Sequence, residues 1–323
     1  MPHDIEPRLL RAFAAVAEEL HFTRAAGRLF IAQQALSRDI RRLEQRLGAD
    51  LFVRTTRNVT LTAEGARLLP YVRRVLAAHE ELAAACAGAD RPLLVDVGGP
   101  VSTGHRVLTA ARRAAPGTEL VARHHGGLTG AAAGLADGRL DVSFGRFGGL
   151  PEPLRAGLCH QPVRLEPMAV LLRDDHPLAD REEIELGALR GETLYAAAGN
   201  PATAEWTDLA ERLFEGRGIA IAEPFPQIEG KEEFVRLVRK RGWSVLASVE
   251  FIEIPGMVLR PLAGPVPLSP VAMVWRRGLR HPGLDALRTA ARELAAAHDW
   301  LERPAGAWLP AGDAAVFSSP SAD

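Results

Sequence analysis

Phe22–Gly48, FTRAAGRLFIAQQALSRDIRRLEQRLG, sets a short helix, a tight turn and a second helix in immediate succession. In the second helix Leu36, Ile40, Leu43 and Leu47 recur at helical spacing, forming one apolar stripe that must face a core. Gln34, Arg38, Arg41, Arg42 and Gln45 fall on the opposite side, with Gln33 and Ser37 flanking them near the amino end. A helix pair of this kind fits the major groove of DNA, where the first residues of the second helix meet base edges and flanking cations meet phosphates. Gln33, Gln34, Ser37 and Arg38 are therefore the expected base readers, since Gln pairs bidentately with adenine and Arg with guanine, and Arg41 is expected on the phosphate backbone. A polar helix face alone would mean only a solvated face. The charge distribution argues for more: residues 21–60 carry eight arginines against three acidic residues, while the 323-residue chain has a net charge of −1. A small basic segment on a near-neutral chain is the electrostatic footprint of a nucleic-acid module.

Leu51–Thr62 follows as two β-prone runs around a polar tip, the pattern of a hairpin wing. Arg54, Thr55 and Arg57 at that tip could reach a minor groove or phosphates. Residues 5–66 resemble the winged helix-turn-helix of the LysR-type transcriptional regulators. The resemblance rests on Phe22-Thr23-Arg24-Ala25-Ala26, Ala35-Leu36-Ser37-Arg38, Ile40-Arg41-Arg42-Leu43-Glu44, Leu47-Gly48, Leu51-Phe52-Val53-Arg54 and Leu61-Thr62-Ala63-Glu64-Gly65, in order and spacing. It adds Thr23 and Arg24 to the expected DNA-binding set. Gln34 departs from the family's frequent proline; it restores a backbone donor and adds an amide at the DNA-facing end.

Thr62 can cap a long helix with Glu64 in its first turn, and Pro70 inside it could kink it. Leu69, Val72, Leu76, His79, Ala83 and Cys86 repeat with alternating spacings of three and four, the seam of a coiled coil. The resemblance implies a linker helix that pairs two subunits into a homodimer, with pairing into a tetramer left open. The alternative is that this stripe packs on its own chain. A lone His or Cys on such a seam is ordinarily a packed residue.

Small and polar residues around Pro92 mark a boundary, after which strands and helices alternate. Strands are expected near Leu93–Val97, Leu120–His124, Leu140–Phe144, Met168–Leu172, Thr193–Ala197, Ile219–Ala222, Trp243–Val249 and Val271–Trp275. Helices are expected near Thr103–Ala115, Thr129–Asp137, Ala204–Gly216, Lys231–Arg241 and Leu284–Ala297. This layout resembles the effector domain of the same family, which is similar in fold to periplasmic solute-binding proteins. The expected fold class is thus α/β with an amino-terminal winged helix-turn-helix and a two-lobed α/β effector domain. The domains run 1–61 (winged helix-turn-helix), 62–90 (linker helix), 91–302 (effector domain; lobe I about 91–166 and 267–302, lobe II about 167–266) and 303–323 (a tail whose Pro, Ala, Gly and Ser content reads as disordered). Ligands in open α/β lobes sit beyond the carboxyl ends of strands, which points to Ser102, Thr129, Arg146, Asn200 and Thr203. For each, a helix cap or a solvated loop side chain is the plain alternative. Members that sense small carboxylates place hydroxyls where this sequence has Gly99 and Leu128, which argues against a simple aromatic acid as effector.

His124-His125 would point to opposite faces of a strand, and Cys-x-x-Cys, His-x-x-x-His, phosphate-loop and Gly-x-Ser-x-Gly patterns are absent from the sequence. Neither an enzyme, a metal site nor a cofactor is expected. Cys86 and Cys159 form neither a disulfide framework nor a close redox pair and suit a reducing cytosol. No apolar run approaches the roughly 20 residues of a membrane span, and Met1–Ile5 leads into an amphipathic helix rather than a signal peptide. The expectation is a cytoplasmic regulator whose partners are double-stranded promoter DNA, a small-molecule effector, a second copy of itself and, if it activates, RNA polymerase. The alternatives are an effector-independent DNA-binding regulator and a cytoplasmic solute-binding protein.

Overall fold

Pro7 has a φ already suited to a helix and no amide hydrogen to lose, and it opens α1 (Pro7–Glu19). A computed structural model describes residues 5–54, 59–87, 91–99, 101–124, 126–225, 228 and 230–318, in two compact units, Met1–Arg91 and Pro92–Asp323. In the first unit α2 (Phe22–Arg28) and α3 (Gln33–Leu47) pack with α1, and α3 ends at Gly48, whose φ of 69° a side chain would resist. The core is made of Leu9, Phe13 and Val16 from α1, Ala25 from α2, and Leu36, Ile40 and Leu43 from α3, closed by Leu51 and Phe52. The Phe52 ring meets Phe13 edge-on at 5.5 Å. Each of the Leu, Ile, Val and Phe side chains contributes about 1.5–3 kcal/mol by leaving water. β1 (Phe52–Arg54) and β2 (Val59–Leu61) pair antiparallel, with Arg54 opposite Val59.

Thr62 caps α4 (Ala63–Ala87): its hydroxyl accepts from the Gly65 amide at 2.9 Å and donates to the Asp50 carbonyl at 2.7 Å. A Cβ at Gly65 would lie 2.3 Å from the Leu51 carbonyl oxygen, so the helix can approach the wing only at a glycine. The helix runs through Pro70 without a break. Part of the seam expected on α4 is taken up by its own unit. Val72 is buried in the core of its own unit, Leu69 and Leu76 pack against that core, and His79 is exposed, hydrogen-bonded to Arg11 at 3.3 Å. Among the described residues the large apolar side chains of α4 left outside are Tyr71, Val75 and Leu82, at 54%, 52% and 65% exposure. Alternating three and four spacing could not tell which of two neighbouring stripes α1 would cover. The side chains of Ala83 and Cys86 lie outside the described residues.

The second unit holds two lobes joined through one long strand. Lobe I contains β3 (Leu93–Asp96), α5 (Thr103–Ala114), β4 (Leu120–Arg123), α6 (Leu128–Asp137), β5 (Val142–Gly145) and a short α7 (Glu152–Arg155). Next comes β6 (Leu158–Arg173), then β7 (Ile184–Glu185), β8 (Thr193–Tyr195), α8 (Ala204–Phe214), β9 (Ala220–Ile221), α9 (Lys231–Arg241), β10 (Ser244–Ser248) and β11 (Met257–Ala263). β12 (Leu268–Arg276), α10 (Pro282–Ala297) and α11 (Ala311–Ser318) complete the chain. The strand order is β4-β3-β5-β12-β6-β10-β8-β9, with β11 pairing β6 and β7. Pro167 still faces Leu268 of β12, whereas Met168 faces Ser248 of β10, so the passage between lobes falls between these two residues. Trp275, Leu93 and Leu287 centre the core of lobe I, and Met168, Leu194, Leu209 and Leu246 that of lobe II.

Three readings of this unit change. β6 begins ten residues before the expected start at Met168, because Pro162 and Pro167 punctuate it; the ladder with β12 shifts register between Val271 and Ala272, opposite Pro162 and Arg164, where a bulge admits the proline. β11, with Pro261 inside it, was not expected at all. The described part of the tail, residues 303–318, is built into the fold. The Trp308 amide donates to the Val266 carbonyl at 2.9 Å, the Leu268 amide donates to the Trp308 carbonyl at 3.0 Å, and α11 buries Asp313 to 1% exposure. Bulk composition had averaged away these few anchoring residues.

Candidate DNA-binding surface and ligand cleft

Ionic pairing sorts the arginines of the first unit. Arg24 is held by Glu19 at 3.1 Å, Arg28 by Glu18 at 2.6 Å, and Arg42 and Arg46 by Glu6 at 3.2 and 3.4 Å. Arg8 reaches the buried Asp39 of α3 at 3.1 Å. Arg38 and Arg41 are exposed on α3 and have no hydrogen bond or ion pair among the described residues. Gln33 and Gln34 are exposed at the amino end of the helix beside them, Ser37 is half-buried and Thr23 is exposed. The structure thus gathers Gln33, Gln34, Ser37, Arg38 and Arg41 on one helix. Arg24 is tied back to Glu19, so reaching DNA would require breaking an exposed pair, at a cost of about 1 kcal/mol or less. Thr55 and Arg57, and the side chain of Arg54, lie outside the described residues.

In the second unit a cavity of about 440 Å³ opens between the lobes. Its walls include Gly99, Ser102 and Glu166 from the lobe I side and Tyr195, Asn200, Thr203, Trp206, Phe234 and Phe251 from the lobe II side. Ser102, Asn200 and Thr203 are therefore brought together, and two of them also serve as caps. The Ser102 hydroxyl donates to the carbonyls of Val97 and, at 2.8 Å, Gly99 while accepting from the His105 amide at 3.1 Å. Asn200 Oδ1 accepts from the Ala202 amide at 2.9 Å.

Thr129 and Arg146 are corrected: neither lines the cavity among the described residues. The amino end of α6 is occupied by the chain's own Glu205 carboxylate, which accepts from the Leu128 amide at 2.8 Å, the Thr129 amide at 3.2 Å and the Thr129 hydroxyl. An anion-binding helix terminus is thus filled from the opposite lobe. Arg146 is 6% exposed; its Nε donates to Asp313 at 2.7 Å and its Nη1 to Asp208 and, at 3.2 Å, the Glu205 carbonyl. Burial lifts the Asp313 carboxyl above the ordinary range despite Arg146. Burial pushes Asp208 the same way, but hydrogen bonds from Arg212 and Arg146 overcome it and hold that carboxyl below. These contacts clasp the lobes beside the cavity. No local pattern signalled them, since Glu205 and Thr129 are 76 residues apart.

The groups that sequence reading missed are the aromatic wall and Glu166. Tyr195 stacks on Trp243 at 4.5 Å and an interplanar angle of 5°, and Phe234 lies 6.2 Å from Tyr195. Burial raises the Tyr195 phenol above its usual pKa. Glu166 accepts from the Thr103 hydroxyl, and burial pushes its carboxyl upward more than that bond and Arg164 pull it down. The one local hint was an acidic residue set in the apolar run Leu165–Leu172.

Two family models match the chain: the bacterial regulatory helix-turn-helix protein, lysR family, over residues 7–66, and the LysR substrate binding domain over residues 95–296. The HTH-type transcriptional regulator TtuA of Agrobacterium vitis is 31% identical over 313 residues, covering 88% of this chain and 95% of that protein. The uncharacterized HTH-type transcriptional regulator YnfL of Escherichia coli K12 is 37% identical over 196 residues, 58% of this chain and 64% of its own length. The crystal structure of CbnR, a LysR family transcriptional regulator, has a TM-score of 0.63 at 24% identity, covering 89% of this chain and 98% of that one. Among the described residues no helix is long and apolar enough to cross a membrane.

Proposed function

Because the chain belongs to the LysR family of DNA-binding transcriptional regulators, we propose that it grips promoter DNA through α3 and takes its small-molecule effector between the lobes of the second unit. Arg38 is assigned to a base edge together with Gln33, Gln34 and Ser37, and Arg41 to phosphate. The observation that carries this reading is that Arg38 and Arg41 stand exposed and unpaired among the described residues on a helix whose other arginines, Arg42 and Arg46, are held by Glu6. A cation already paired within the protein must surrender that partner to meet DNA; these two surrender only water. Thr23 and Arg24, and the wing residues Arg54, Thr55 and Arg57, are assigned to flanking phosphates and the minor groove.

A dimer presents two such helices to one duplex, and the apolar stripe of Tyr71, Val75 and Leu82 on α4 supports pairing through that face. The cavity between the lobes, with aromatic and polar walls, supports the effector site. An effector that binds one lobe orientation better than another shifts the balance between orientations and, through the dimer, the spacing of the DNA-reading helices.

The test is DNA binding across a salt series. Arg38→Ala is expected to cost about 1–3 kcal/mol and to relax preference at one base position. Arg41→Ala is expected to weaken all sequences alike and to reduce the salt slope by about one. Wild-type affinity and wild-type salt slope in both variants would overturn the assignment.

A further inference from the structure

Among the described residues the wall of the cleft holds one carboxyl group and no basic side chain. Of the residues that line it, only Glu166 and Tyr195 titrate, and neither Arg, Lys nor His is present among the described ones. Two cations near Glu166 have another partner: Arg164 Nη2 and Arg106 Nη2 each bind Glu250 at 3.0 Å, and the Arg164 guanidinium lies 4.9 Å over the Trp300 ring. Arg164 Nη1 stands 3.9 Å from Glu166 Oε1, a distant ion pair without a hydrogen bond. The Glu166 carboxylate receives one protein hydrogen bond among the described residues, from Thr103 to Oε1. Oε2 retains acceptor capacity.

Two of the groups that might greet an anion are already committed. The Ser102 hydroxyl donates to backbone carbonyls, and the amino end of α6 is filled by Glu205. The amino end of α5 has Glu166 itself beside it, through Thr103, so the positive end of that helix dipole already faces a carboxylate. Opposite these groups stand Tyr195, backed by the parallel Trp243 ring, and Trp206, Phe234 and Phe251. An aromatic body gains area and stacking there, and its hydrogen-bonding edge meets an acceptor.

We infer that the cleft selects an aromatic or heteroaromatic molecule that presents an N–H donor to Glu166 and carries no negative charge. The inference deepens the reading of the cleft as the effector site and rests on it. A carboxylate ligand of the same shape would be desolvated against a described wall without a basic side chain and would face Glu166, whereas an amine or amide would complete that side chain's hydrogen bonding. The cavity volume of about 440 Å³ suits a molecule of one or two rings.

Calorimetry on the full-length chain with three probes of similar apolar body, phenethylamine, hydrocinnamamide and hydrocinnamate, tests this. The amine and the amide are expected to bind, and hydrocinnamate to bind at least about tenfold more weakly. Glu166→Gln is expected to weaken phenethylamine about tenfold and to narrow its advantage over hydrocinnamate. Gly99→Trp, at a position where a Cβ meets no atom within 4 Å, fills the cleft and is expected to abolish binding of every probe. Hydrocinnamate binding as tightly as the amine, or failure of every probe to bind, overturns the inference. If hydrocinnamate wins and Gly99→Trp removes it, the ligand class is wrong and the cleft reading stands. If binding survives Gly99→Trp, the cleft reading falls as well. The probe ranking on the wild-type chain decides the matter whether or not Glu166→Gln folds.

Discussion

Asp313→Ala should release the carboxyl-terminal strap without unfolding the domain beneath it. Asp313 is 1% exposed, and its Oδ2 lies 2.7 Å from Nε of Arg146, itself 6% exposed. Removing one partner of a buried pair costs about 3–5 kcal/mol. Here Arg146 keeps Asp208, whose side chain is 34% exposed, so about 3 kcal/mol, at the lower end, is expected. Burial already holds the Asp313 carboxyl above the ordinary range, which means that desolvation consumes part of the attraction. Asp313→Asn, which keeps an acceptor and drops the charge, should therefore cost only about 1 kcal/mol. The loss falls on the tail because α11 spans eight residues, below the roughly 12 that a helix needs to persist alone. About 3 kcal/mol is on the order of a hundredfold in an opening equilibrium. Native-state hydrogen exchange reads it directly at the amides of Trp308 and Asp313, which donate to the carbonyls of Val266 and Pro310 at 2.9 Å. Gly148→Ala approaches the same contact from the other side, since a Cβ there would fall 1.8 Å from Asp313 Oδ1. Both variants should accelerate the same amides, and that of Leu268, which donates to the Trp308 carbonyl, while those of β12 beyond Leu268 stay protected. Wild-type exchange at Trp308 and Asp313 in Asp313→Ala would refute the reasoning, and loosening in Asp313→Ala but not in Gly148→Ala would refute the geometry.

Val75→Glu on the exposed stripe of α4 should shift the chain toward monomer in sedimentation velocity, by the roughly 1.5–3 kcal/mol that a buried Val contributes, with unchanged monomer stability; an unaltered association constant would remove α4 from the interface. Glu166 sets a pH dependence: its folded carboxyl sits above the ordinary value through burial, so the folded chain holds that proton to higher pH than the unfolded one, and stability falls as pH rises from the unfolded value through the folded value. Denaturant melts of Glu166→Gln across the acidic range should show that component removed, and slopes identical to wild type would contradict it.

Local pattern carried the reading furthest where function depends on contiguous residues. Leu36, Ile40 and Leu43 lie inside and Gln34, Arg38 and Arg41 outside because helical spacing alone orients them. The pattern failed at α4, where Val72 turned inward and Val75 remained outside: a helix with two adjacent apolar stripes needs a neighbour to choose between them. It failed again along β6, where prolines read as interruptions and the partner strand absorbed them in a bulge.

The sequence by itself determined a basic helix-turn-helix ahead of an α/β domain, because charge, apolar period and turn residues act within a few positions of one another. Tertiary structure alone decided which polar groups remain for a ligand. Arg146 and Thr129 resemble cleft residues in one dimension, yet Asp313 and Glu205, distant in the chain, claim them. Glu166, inconspicuous within an apolar strand, reaches the cleft with an acceptor to spare. Hydrogen-bonding capacity is finite, and only the folded chain settles which partner uses it.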